Sequence, residues 1–175
     1  MDNPEPMSSS VVTFTRSVDV DTDTQILAEV GRVDNIAPEE RIWSARFDGD
    51  RCYLVTFRQI DPLWVIDMSD ETNPTILGEL EVPGVSTYIH PLSREHLLTI
   101  GMGPANADGT GLDWSSTRLS LFNISDPTAP AAADHLTLVP VSNPNDNAWV
   151  WSYSEASYEH KAVSYTHLRA HETFA

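Results

Sequence analysis

Residues 64–82 read WVIDMSDETNPTILGELEV, and residues 119–138 read LSLFNISDPTAPAAADHLTL. In both, an apolar run ends at Asp67 or Asn123, a Ser-Asp pair follows (Ser69-Asp70, Ser125-Asp126), then a proline (Pro74, Pro130), then a second apolar run. The chemistry is that of a tight corner. Asp, Asn and Ser side chains accept or donate hydrogen bonds to nearby backbone, and proline presets φ and stops the first strand from continuing. Upstream, residues 50–57 (DRCYLVTF) correspond to residues 94–100 (REHLLTI), and residues 158–162 (YEHKA) begin a third copy. This alignment sets Tyr53 against Leu97, 44 positions apart. The downstream offset is longer because of an insertion between Met102 and Ser116.

Short β-rich runs bounded by Asp, Gly, Pro, Ser and Asn fill the chain, and no window keeps a helical apolar period with caps. The pattern predicts strands at 11–16, 25–33, 42–47, 52–57, 63–67, 75–82, 86–90, 96–101, 118–123, 132–139, 149–154 and 158–162. A period of about 40–45 residues with four strands per unit marks β-propeller blades. An immunoglobulin-like sandwich, the competing all-β fold, needs no internal repeat. The expectation is therefore an all-β, partial β-propeller spanning residues 11–162. Two complete four-stranded antiparallel blades lie at about 41–82 and 85–139. Residues 11–33 supply the outer two strands of a preceding blade, and residues 148–162 the inner two of a following one. Residues 1–10 are expected to be disordered.

The stretch ARFDGDRCYLVTFRQIDPLWVIDMSDETNPTILGELEVPGVSTYIHPL, with LSLFNISDP and WSYSEASYEHKA further on, resembles a family of prokaryotic secreted proteins. These carry a C-terminal β-propeller domain distantly related to WD-40 repeats. The resemblance covers nearly all of residues 11–162. It implies fold and export, hence an extracellular or cell-surface setting, and no particular chemistry. The family pattern implies an aromatic strand after Ala162. Residues 163–173 (VSYTHLRAHET) instead look like the in-frame translation of a sequencing adapter, so residues 163–175 are expected to be a non-native tail on a truncated chain.

Composition narrows the function classes. The chain has 175 residues, 26 acidic against 10 basic side chains, and a net charge of -16. Such acidity argues against nucleic acid and anionic lipid, which are polyanions. Lys161 is the one lysine among 15 aspartates, a pattern suited to high salt or to a secreted acidic protein. The apolar runs are too short to span a membrane. A single cysteine, Cys52, excludes an internal disulfide framework and a multi-thiolate zinc site.

Candidate chemistry is sparse. Asp19, Asp21 and Asp23 form D-x-D-x-D, a spacing that can converge on calcium, but the Gly and Glu that complete a calcium loop are replaced by Thr24 and Val30. The bland alternative is a solvated hairpin. Cys52 follows Arg51, which could lower its pKa, although buried structural thiols are commoner. No Gly-x-Ser-x-Gly elbow is present around Ser86. His96 and His160 both open a second strand, where turn capping is expected, and His90 and His135 sit on other strands. Gly101, Gly103, Gly109 and Gly111 lie in or beside the insertion, with no following helix to cradle phosphate. The insertion reads as a long, flexible hairpin loop, and Trp114 at its end is a candidate contact residue, with packing on a neighbouring blade as the alternative. Trp43, Trp64, Tyr88, Trp149 and Trp151 are expected between blades. Asn123 opens a glycosylation sequon that its place in the corner explains as well. The pattern predicts a non-catalytic module that binds a protein or polysaccharide through loops on one face, with no cofactor other than possible calcium. The alternative is part of an enzyme with its active site in the central channel. Inner-strand residues Ser44-Ala45-Arg46, Thr87-Tyr88-Ile89 and Tyr153-Ser154-Glu155 are too dissimilar to suggest a ring of like groups.

Overall fold

The computed structural model describes residues 7–57, 61–138, 152, 154–157 and 159. Among the described residues ten strands follow in order: β1 Ser9–Asp19, β2 Thr24–Ile36, β3 Arg41–Asp48, β4 Arg51–Phe57, β5 Asp61–Asp67, β6 Thr75–Val82, β7 Val85–Pro91, β8 His96–Met102, β9 Thr117–Asn123 and β10 Ala131–Leu138. They form a β1-β2 hairpin and two four-stranded antiparallel sheets, β3-β4-β5-β6 and β7-β8-β9-β10. Each sheet is a meander, the connectivity of a propeller blade. Among the described residues no helix is long and apolar enough to cross a membrane.

Burial of the β3–β6 blade decides between propeller and sandwich. Side chains alternate across a strand, so Cys52 and Leu54 point one way from β4 while Tyr53 and Val55 point the other. All four are buried. Tyr53, Val55, Leu63 and Val65 pack against Val85, Ile89, Leu97, Phe122 and Ile124 of the next blade. Cys52, Leu54 and Ile66 pack on the opposite side against Val11, Ile36 and Ala37 of the β1–β2 unit. A sandwich sheet buries one face and leaves the other polar. Here both faces are covered, so β4 reads as a continuous apolar run.

The repeat is visible in the hydrogen bonds. Asp67 Oδ1 accepts from the Ser69 N–H and Asn123 Oδ1 from the Ser125 N–H, both at 2.9 Å. Asp70 Oδ1 takes the N–H and hydroxyl of Thr72, and Asp126 Oδ1 takes those of Thr128, at 3.0 and 2.6 Å in each case. These donors hold both carboxyls below the usual aspartate range. Each corner is also tied to the inner hairpin turn of its blade, Met68 N–H to Asp50 O and Ile124 N–H to Glu95 O, both at 2.7 Å.

These contacts correct the register read from sequence. Asp67 pairs with Arg51, and Asn123 with His96, so Arg51 and His96 are equivalent and the offset is 45 rather than 44. Leu97 therefore matches Cys52, not Tyr53. A slip of one residue exchanges the two faces of a strand. With the corrected register, Cys52 and Leu97 both face the preceding unit. The inner strands shift likewise: bulges after Ile42 and Ser86 bring Ser44 and Arg46 level with Tyr88 and His90. The inner strands of the two blades meet directly, with Ser44 Oγ donating to Ser86 O at 2.6 Å.

A third copy of the outer strand pair emerges at β1–β2. β-Bulges sit at matching places in all three outer pairs, between Thr13 and Phe14, Val65 and Ile66, and Ala132 and Asp134. Beside two of them lie Gly31 and Gly78. A Cβ on Gly31 would collide with the Glu71 carbonyl of the following corner, and one on Gly78 would come within 2.6 Å of the Pro127 carbonyl oxygen. The corner of each blade thus lies on a bare patch of backbone in the outer strand of the blade before it. Residues 9–36 occupy the place of outer strands in a preceding blade. The strand β1 starts at Ser9, two residues earlier than expected, because Ser9 pairs with Ile36 and Ser10 Oγ donates to Asp34 at 2.6 Å. The expected strands at 149–154 and 158–162 lie largely outside the described residues. Within that stretch Glu155–Ser157 form a 3-10 turn, and Ala156 is buried. Residues 163–175 also lie outside.

Gly78→Ala should destabilise the protein by about 2 kcal/mol or more, since the obstacle is backbone. Gly103→Ala, whose added methyl meets nothing nearer than 3.8 Å, should change little. Chemical denaturation of the two variants beside the wild type checks this, and equal midpoints would refute the corner contact.

Candidate functional site

The strand directions sort the connections into two ends. One carries the turns after β3 and β7 and the Ser-Asp corners. Its polar groups are spent on structure: Arg94 donates to both oxygens of Asp50 at 2.5 and 3.2 Å, and Arg51 donates to Arg94 O at 3.1 Å, linking the two blades. The other end carries the insertion between β8 and β9, the start of β3 and the end of β4.

The insertion is not the flexible loop that its length suggests. Asn106 N–H donates to Thr110 O at 3.0 Å, Gly109 N–H to Asn106 O at 3.1 Å, and Asp113 N–H to Gly103 O at 2.9 Å. Asp108 Oδ1 takes the N–H and hydroxyl of Thr110 at 3.0 and 2.6 Å, the same device as in the corners. Gly109 and Gly111 take left-handed backbone, with φ of 89° and 71°. Leu112 packs on the interblade core.

Asp113 holds the end of this loop. Its Oδ1 accepts from the N–H and hydroxyl of Ser115 at 2.9 and 2.6 Å, and its Oδ2 from the Ser116 hydroxyl at 2.8 Å. These bonds hold its carboxyl below the usual range. Trp114 lies between the pinned residues and is 67% exposed, the most exposed aromatic side chain among the described residues. Its ring centroid is 6.2 Å from that of Trp43, on the inner strand of the other blade. Trp43 is the extra residue of the β3 bulge, where a bulge re-aims a side chain, and Phe57 braces it edge-on at 5.8 Å. Trp114 thus both packs against the neighbouring blade and presents its indole to solvent. Trp43 was expected only as interblade filling. The Asp-x-Ser pattern at Asp113 and Ser115, which repeats the corner chemistry, was the signal for an ordered loop.

The calcium candidates do not converge. Asp19 Oδ1 turns onto the N–H groups of Asp21 and Thr22 at 2.9 and 3.1 Å, which lowers its pKa and tightens the β1–β2 turn. Asp23 has a φ of 53°, and its N–H donates to Asp19 O. Among the described residues no three His, Cys, Asp or Glu side chains are grouped to hold a metal ion. The spacing that suggested calcium is spent on a hairpin turn.

Cys52 is fully buried and its thiol is pushed up to about 12 by that burial, so Arg51 does not activate it. His90 is also buried, and burial, with Arg46 nearby, lowers its pKa. The Tyr88 hydroxyl lies 3.4 Å from His90 Nδ1. The His96 carbonyl caps its turn by accepting from Leu92 and Ser93 N–H groups, while His135 sits on β10. Trp64 Nε1 donates to Thr56 Oγ1, which donates to Glu40, so its polar edge is satisfied inside the fold. His160, Trp149, Trp151 and Tyr153 lie outside the described residues.

A family model described as a beta propeller domain matches residues 2–174. The chain belongs to the beta propeller domain family. It is 42% identical over 104 residues to an uncharacterized protein of Archaeoglobus fulgidus, covering 59% of this chain and 15% of that protein. It is 40% identical over 129 residues to an uncharacterized protein of Methanocaldococcus jannaschii, covering 74% of this chain and 18% of that protein. The propeller chain thus spans less than a fifth of either relative. No solved structure matches it.

Thiol titration checks the assignment of Cys52. The folded propeller should react with a disulfide reagent at pH 8 only as fast as it opens, and denaturant should release a full equivalent. Rapid reaction of the native protein would reinstate Cys52 as a reactive group.

Proposed function

We propose that this propeller segment is a non-catalytic binding module that engages a protein or polysaccharide through the end bearing the β8–β9 loop. One observation carries the reading: an exposed indole, Trp114, is held in place by a carboxylate with both oxygens engaged. An aromatic whose rotamer and backbone are already ordered loses little entropy on binding, which favours it as a contact residue. Loops on a rigid β scaffold are common carriers of such contacts. An extracellular or cell-surface setting is part of the proposal and rests on the resemblance to secreted propellers.

The alternative, an enzyme with its centre in the channel, finds less support. With the corrected register Ser44 and Tyr88 hold equivalent inner-strand positions, as do Arg46 and His90, so equivalent positions still carry unlike groups. His90 and Tyr88 are the groups such an enzyme would use.

The two readings separate in one set of measurements. The full chain should show no turnover of chromogenic ester, phosphate or glycoside substrates. In interferometry against a panel of polysaccharides and surface proteins, Trp114→Ala should weaken its ligand about tenfold, with an unchanged circular dichroism spectrum. Turnover abolished by His90→Ala would overturn the proposal in favour of the channel enzyme.

A further inference from the structure

We propose that Asn123 is an N-glycosylation site, its side-chain amide carrying an oligosaccharide on the exposed Ser-Asp corner of the second blade. The inference rests on the extracellular setting proposed above and adds a covalent modification to it.

The motif is selective within this chain. Asn123-Ile124-Ser125 fits the acceptor pattern Asn-x-Ser/Thr with x other than proline. The other match, Asn73-Pro74-Thr75, has proline at the excluded place.

The corner itself does not require an asparagine. Its counterpart in the first blade is Asp67, which accepts from the Ser69 N–H at 2.9 Å, the same distance as from Asn123 Oδ1 to the Ser125 N–H. A carboxylate oxygen and an amide oxygen serve the fold equally, so what Asn123 adds is an NH₂ group. The backbone donor that faces the side chain fixes the oxygen as the inward atom and leaves Nδ2 turned away from that bond. Among the described residues neither Nδ2 nor the Ser125 hydroxyl has a hydrogen-bond partner. Asn123 and Ser125 are both exposed, whereas Asp67 is half-buried. Ile124 between them is buried, and its N–H donates to Glu95 O at 2.7 Å, so the two acceptor residues are held outward.

The chemistry leaves the corner intact. Transfer from a lipid-phosphate-linked oligosaccharide by a membrane oligosaccharyltransferase forms a bond between Nδ2 and the anomeric carbon. It breaks the bond from that carbon to the phosphate oxygen, and one Nδ2 proton and the lipid phosphate leave. The product is still an amide, so its oxygen keeps the Ser125 N–H. Asn123 ends β9, whose other end adjoins the Trp114 loop, so the sugar extends away from that loop.

Peptide mass mapping of the full chain tests this, with the protein purified separately from the surface and cytoplasmic fractions of the cells that make it. The expected result is sugar mass on the Asn123 peptide of the surface protein. Asn123→Asp and Ser125→Ala should each abolish it, and Ser125→Thr should retain it. All three variants should keep the wild-type melting midpoint, since Asp67 already serves the first corner and Ser125 donates through its backbone. Surface protein with a bare Asn123 overturns the inference and leaves the extracellular reading standing. Protein confined to the cytoplasm overturns both. Sugar that persists in Asn123→Asp is attached elsewhere and overturns the inference.

Discussion

A Ser-Asp corner can lie flat on the neighbouring blade only where that blade's outer strand has no side chain in the way. Gly78 provides this for the corner at Pro127 and Thr128, and Gly31 provides it for the corner at Glu71 and Thr72. Because backbone meets backbone there, the close approach of the blades at each corner depends on the missing side chain of Gly31 or Gly78. The matching bulges beside both glycines add strand twist at that contact. With the blades this close, the apolar residues of β4 and β5 can be buried on both sides, and the core becomes two clusters with one sheet between them.

The same constraint separates structure from candidate function. At one end the corner aspartates are tied to backbone and hydroxyl donors of their own turns, and Asp50 is tied to Arg94 of the next blade. The opposite end carries the longest connection of the described blades, and its insertion reaches from one blade to the inner strand of the other. Among the described residues, the abundance of acid therefore goes into turns rather than into a grouped set of metal ligands. Asp19, Asp67, Asp70, Asp108, Asp113 and Asp126 each accept from nearby backbone N–H groups, ordering turns in the way that Asp residues commonly do.

Strand positions from residue 9 to 138 were largely legible because turn chemistry punctuates the chain so regularly. The register was not. Leu97 and Leu98 are identical, and a continuous apolar run such as CYLV has no polar alternation to show which residue faces which blade. The Asp19, Asp21 and Asp23 spacing left a calcium loop and a solvated hairpin both open because the two ask for the same residues, and only the direction of the carboxylate separates them. The insertion, by contrast, misled. Its length and polarity suggest mobility, whereas the acceptors of Asp108 and Asp113 make it a small ordered unit.

The amino-acid order alone determined that this chain is a row of short antiparallel strands repeating as blades, since period, corner residues and prolines are local properties. Tertiary structure decided which face each strand buries, where the glycines must lie, and that Trp114 stands on Trp43 at one end of the propeller. Those features depend on contacts between residues that are distant in the chain, and no local pattern encodes the side from which a partner approaches.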